Sequence, residues 1–179
     1  MNSILMTLAL LIAPFAHASE GWKKCSVPEG SCSISFPIEP QHVHEKMFLP
    51  KESVWINYDV YLSPLRREAI FVMMIAEYPK PIEKEKEVYC LQAFLKGMVG
   101  PAGQSRIIFA DLIEVQGEKA LEFFLQSPRS FFRGKLFLAG SKLFLIAVEA
   151  LEEKNIQELF HSFAESYHKD DKISALVLK

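Results

Sequence analysis

The chain has 179 residues, with 20 Lys and Arg against 22 Asp and Glu, a formal net charge of −2, 50% hydrophobic residues and 14 Phe. Near-neutral charge with both signs interspersed excludes a polyphosphate-binding surface, so nucleic acid is not an expected partner. The apolar and aromatic content excludes a disordered chain.

Met1 to Ala18 hold no charged side chain, and an apolar run from Ile4 to Ala13 is broken only by Thr7. Such a run is too short for a bilayer span, which needs about 20 residues, and has the length of a signal-peptide core. Pro14 ends it, and Ala16-His17-Ala18 puts small residues where a signal peptidase reads them. Cleavage after Ala18 is expected, with an uncleaved anchor as the alternative. The mature protein would begin at Ser19 as a periplasmic or secreted single domain, 19–168, with a tail at 169–179 and no stable membrane span. About 160 residues suffice to bury close to 70% of the unfolded surface.

Cys25 and Cys32 flank a Pro28-Glu29-Gly30 turn. In an oxidising compartment this spacing favours a Cys25–Cys32 disulfide, with Cys90 left over; three thiols leave three pairings open.

Ser31 to Phe36 alternates and stops at Pro37, as a strand does. Ser53 to Leu62 and Ala69 to Tyr78 form the next two strands, with a turn placed at Ser63-Pro64 and Arg66-Arg67. From Glu83 to Val99 the apolar period lengthens, with Val88, Leu91, Leu95 and Met98 three or four apart, which predicts an amphipathic helix. The glycine-rich stretch from Gly97 to Gly103 ends it. Four strands are then predicted over Arg106–Val115, Lys119–Gln126, Ser130–Ala139 and Lys142–Ala150, with Gly117, Pro128 and Gly140 at the turns of an antiparallel meander. A last helix runs from about Glu152 to His168, its stripe formed by Ile156, Leu159, Phe160, Phe163 and Tyr167. AIFVMMIA (69–76) and LFLIAV (143–148) are apolar on both faces, which requires cover on both. The fold class is therefore α+β: an antiparallel sheet of about six to seven strands with helices packed on both faces, an α/β/α sandwich.

This order of elements, together with Phe36-Pro37, Gly117 through Phe123 and Phe160 through Phe163, resembles the Mog1/PsbP-like α/β/α sandwich of thylakoid-lumen photosystem subunits and short bacterial secreted proteins. The resemblance implies a binding or assembly factor without catalysis, and it carries no residue-level site. Where that pattern would place a helix soon after Phe36-Pro37, the stretch 38–51 holds Pro40 and Pro50 and no helical period.

No catalytic constellation is expected: G-x-S-x-G and cysteine-protease signatures are absent, and the glycines of GMVGPAG lack the Lys-Ser/Thr of a P-loop. His42-x-His44 is a possible start of a zinc or copper site, but it supplies too few ligands unless His161, His168 or a distant carboxylate joins it, and solvated loop histidines are the expectation. No metal and no cofactor are expected. The aromatic density from Phe123 to Phe144 suggests either two filled cores or a partly open face that takes an acyl chain. On the second reading, Phe124 and Phe131 would line it, with Arg133 and Lys135 meeting an anionic head group. The function expected is an exported, non-enzymatic binding or assembly protein with an unknown protein partner; the alternative is a periplasmic carrier of a lipid or other hydrophobic ligand.

Overall fold

The structure is a computed structural model and describes residues 21–49, 53–99 and 105–170. The segment expected to be a signal peptide and the residues from 171 onward lie outside the described residues.

Among the described residues, ten strands and two α-helices follow in the order β1 (Lys23–Val27), β2 (Cys32–Phe36), β3 (Gln41–Leu49), β4 (Val54–Leu65), β5 (Ala69–Glu77), α1 (Glu87–Val99), β6 (Arg106–Val115), β7 (Glu118–Gln126), β8 (Phe131–Ala139), β9 (Lys142–Ala150), α2 (Glu153–Glu165) and β10 (His168–Lys169). Seven strands make one antiparallel sheet in the order β3-β4-β5-β9-β8-β7-β6, and β1-β2-β10 make a small second sheet. The expected α+β class is thus present, with sheet as its larger part.

Each face of the large sheet carries one helix. On β7, β8 and β9 alternate residues diverge: Leu121, Phe123, Leu125, Leu136, Leu138, Leu143 and Leu145 pack with Leu91 and Leu95 of α1. Ala120, Phe124, Phe137, Phe144, Ile146 and Val148 pack with Ile156, Phe160 and Phe163 of α2. Of the two strands that read as apolar on both faces, β9 is buried on both, whereas β5 buries Phe71, Met73 and Ile75 on the α2 side and leaves Ile70 exposed and Val72 and Met74 half-buried on the other. The small sheet joins α2 on its face, contributing Val27, Cys32, Ile34 and Phe36 to the same cluster.

Several elements differ from the sequence reading for identifiable reasons. The β4–β5 turn lies at Arg66 to Glu68, where the Glu68 amide donates to the Leu65 carbonyl, and Ser63-Pro64 stay in the strand. Pro64 is tolerated because β3 pairs with β4 only as far as Leu62, leaving β4 one neighbour at Pro64. The proline-flanked stretch 38–51 contains β3, whose mostly exposed residues on both faces hide the apolar alternation of a half-buried strand. Strand β10 draws Lys169 into the fold through pairing with Cys32.

The structure does not show the expected Cys25–Cys32 disulfide. Cys25 and Cys32 are both free thiols. In the β1–β2 register Cys25 faces Ile34 and Cys32 faces Val27. The two cysteines are therefore diagonal rather than opposed, at a separation of roughly 7–8 Å that exceeds disulfide reach. Cys90 lies on α1, packed with the core on the opposite face of the sheet.

Two glycines make opposite predictions. A Cβ on Gly134 would lie 2.5 Å from Phe123 Cζ and 2.9 Å from Ala147 Cβ, whereas one on Gly97, in α1, would meet nothing within 4 Å. Gly134→Ala is expected to lower stability by about 1–3 kcal/mol. Gly97→Ala should raise it by roughly 0.5–1 kcal/mol through helix propensity. Denaturant midpoints of the two variants against the parent check both signs.

Candidate functional site

Along β3 and β4 the residues facing the α2 side alternate: His42, His44, Lys46 and Phe48 on the outermost strand stand opposite Tyr61, Asp59, Asn57 and Trp55 on the next. Two groups form along this double row.

At one end, His42 Nε2 and His44 Nδ1 both reach Asp59 Oδ1, at 2.9 and 2.8 Å. Two histidines two apart on a strand share a face, and the register sets Asp59 directly opposite His44 and diagonal to His42. Asp59 is only 5% exposed and lies opposite the buried Ile75 of β5. A carboxylate taken out of water requires partners, which the two imidazoles supply. The His42 ring stacks on Tyr61 with centroids 4.3 Å apart and planes within 6°.

Glu29 completes the group from the small sheet. The Pro28–Gly30 3₁₀ turn between β1 and β2 lies so close to the large sheet that a Cβ on Gly30 would be 2.9 Å from both Ile75 Cδ1 and Phe144 Cε1. Lys142 Nζ donates to the Glu29 carbonyl, and Tyr61 donates its hydroxyl proton to Glu29 Oε2. Burial, reinforced by that hydrogen bond and the Glu29 charge, pushes the Tyr61 phenol well above its ordinary pKa. Glu29, His42 and Asp59 thereby hold potential ligand atoms within 4.8 Å of one another. The sequence singled out His42 and His44, and the carboxylate it lacked is supplied by Asp59, with Glu29 beside it. His161 is elsewhere, paired with Glu165 on α2, and His168 is in β10.

At the other end of the row, Phe48 and Trp55 stand opposite each other with ring centroids 5.3 Å apart, and they are 43% and 63% exposed.

The residues proposed to line a lipid site, Phe124, Phe131, Arg133 and Lys135, do share one face, the one under α2. Phe124 stacks on Phe131, and the Arg133 guanidinium lies over the Phe109 and Phe160 rings at 4.9 and 5.5 Å. Arg133 and Lys135 both pair with Glu122, and the Lys135 ammonium sits 5.5 Å from the Phe160 centroid. Their charge and ring faces are thus engaged by Glu122 and by α2.

Cys25 and Cys32 lie in the small sheet, on β1 and β2. Burial raises the Cys32 thiol from 9.0 to about 12, helped by the Asp170 charge, and burial likewise raises Cys25.

No family model matches the chain, and no curated protein sequence matches it. Among solved structures it is similar to the solution structure of cyanobacterial PsbP (CyanoP) from Synechocystis sp. PCC 6803, at 16% sequence identity and a TM-score of 0.59. The match covers 89% of this chain and 97% of that one. The likeness shows the fold.

The raised Cys32 pKa makes a stability prediction. A folded state that holds the thiol protonated has its full advantage below 9.0 and loses it as pH climbs toward about 12. Urea unfolding of the parent should therefore weaken across that window, and Cys32→Ala should show a distinctly shallower decline. Parallel declines in the two proteins would refute the assignment.

Proposed function

We propose that this chain, folded like PsbP, is an exported, non-enzymatic binding or assembly protein that docks a partner protein on the outer edge of its large sheet. The observation that carries this reading is the Phe48–Trp55 pair, a solvent-facing aromatic contact between the strand that ends the sheet and its neighbour. Exposed tryptophan beside an edge strand fits two elements of protein recognition: an aromatic anchor for an apolar side chain, and backbone N–H and C=O groups for an added strand. The partner it fits is an extended segment with an apolar side chain at the register of Trp55. Export is supported by the apolar leader ending at Ala18. The packing of Phe124 and Phe131 against each other and of Arg133 against Glu122 favours surface docking over carriage of a lipid within the fold.

Site-specific photo-crosslinking in the native host tests this. A crosslinker at position 55 should yield a discrete protein adduct, and one at Tyr89, which is also exposed but lies on α1, should not. Equal or absent adducts at both positions would overturn the docking surface, and a lipid adduct retained in soft-ionisation mass spectra would favour the carrier. Trp55→Ser should abolish the adduct formed from a crosslinker at Phe48 while lowering stability by no more than about 1 kcal/mol, the scale of an exposed cross-strand aromatic pair.

A further inference from the structure

We infer that His42, His44, Asp59 and Glu29 form a binding site for one divalent transition-metal ion of the zinc and copper class. The inference goes beyond the docking reading and does not depend on it.

Three observations carry it. First, two imidazole nitrogens from one strand converge on a single carboxylate oxygen from the next, at 2.9 and 2.8 Å. Donor atoms around one tetrahedral zinc, at bond lengths near 2.0–2.1 Å, stand about 3.3 Å apart, so small side-chain rotations would bring these three around an ion. Second, Glu29 enters from a separate element and holds a ligand atom within 4.8 Å of those of His42 and Asp59. Third, the supporting groups are fixed: Tyr61 donates to Glu29 and stacks on His42, and Lys142 holds the backbone of the turn. A ligating carboxylate held by a neighbouring hydroxyl is the outer-shell arrangement that orients metal ligands.

The donor set selects the class of ion. Two imidazoles and two carboxylates make an N2O2 site, suited to zinc or copper(II), whereas calcium and magnesium favour oxygen alone. Two carboxylates also balance a divalent charge. The hydrogen bonds between each histidine and Asp59 would be exchanged for metal bonds, with any proton on the ligating nitrogens released to solvent.

The test uses full-length exported protein treated with a chelator and then titrated with zinc chloride, read by native mass spectrometry and by competition with a chromophoric chelator. One zinc per chain is expected, retained in excess calcium. His42→Ala and His44→Ala should each weaken it at least tenfold, and His161→Ala should leave it unchanged. Cobalt(II) used as a substitute should give visible d–d bands without thiolate charge transfer. The site is overturned if the parent holds zinc no more tightly than the His42→Ala/His44→Ala double variant, if calcium displaces the ion, or if a thiolate band transfers the binding to Cys25 or Cys32. Asp59→Asn should also abolish binding. Because Asp59 is buried, its variant is paired with a circular-dichroism check, and the two more exposed histidines keep the test decisive if it does not fold.

Discussion

The approach of the Pro28–Gly30 turn to the large sheet is the constraint on which the rest of the α2 face depends. At Gly30 there is no room for a methyl group: its Cβ would collide with Cys32 Sγ at 2.7 Å as well as with Ile75 and Phe144. That closeness lets the small sheet sit directly on the large one, so that Ile34 and Phe36 join Phe71, Met73 and Phe163 in a single apolar cluster. It also carries Glu29 down to Tyr61. A bulkier turn would lift the small sheet, thin the core beneath it and remove a carboxylate from the polar group in one step.

The two halves of the large sheet are stabilised differently. From β9 to β7 most positions on both faces are buried, and burial of Phe123, Phe137, Leu143 and Ile146 at no more than 2% exposure provides the hydrophobic driving force. Toward β3 helical cover ends. There the α2 face changes from Ile146 and Met73 to Tyr61, Asp59 and the histidines, and cross-strand stacking and hydrogen bonds replace burial as the source of order. The chemistry collects at the open end because polar groups are tolerated where the apolar layers thin out.

What was legible in the sequence follows this division. Strands β6 and β9 run from Arg106 to Val115 and from Lys142 to Ala150, the boundaries the residue pattern predicts, because glycine turns punctuate continuous apolar runs. Strands β1, β3 and β10 were not legible. KKCSV and QHVHEKMFL mix polar residues into both faces, and β10 is only two residues long. The candidate site was half legible: the H-x-H spacing pointed to shared-face histidines, but Asp59 stood inside a segment read as a hydrophobic strand. Its signal was present as the one acidic residue in SVWINYDVYL, in alternation with Trp55, Asn57 and Tyr61. Glu29 left no local signal, since its place depends on two sheets meeting. The aromatic density near Phe124 left two readings open, filled cores or an open face, because strand periodicity gives the face of a ring but not which part of it a helix covers.

The polar group also answers a question of register. An edge strand that is exposed along most of its length, with only Met47 and Leu49 packed on the core, has a small hydrophobic penalty against slipping by one position, which would turn each side chain to the opposite face. In β3 a slip of one would remove both histidines from Asp59, separate His42 from the Tyr61 ring and break the Phe48–Trp55 pair. It would also leave a buried carboxylate unpartnered, at a cost of several kcal/mol. Asp59 thus fixes the strand that presents Phe48, and the residues that would hold a metal ion are the same ones that set the alignment of the exposed aromatic pair. The two features at the open end of the sheet are therefore mechanically joined, through β3, whatever each one binds.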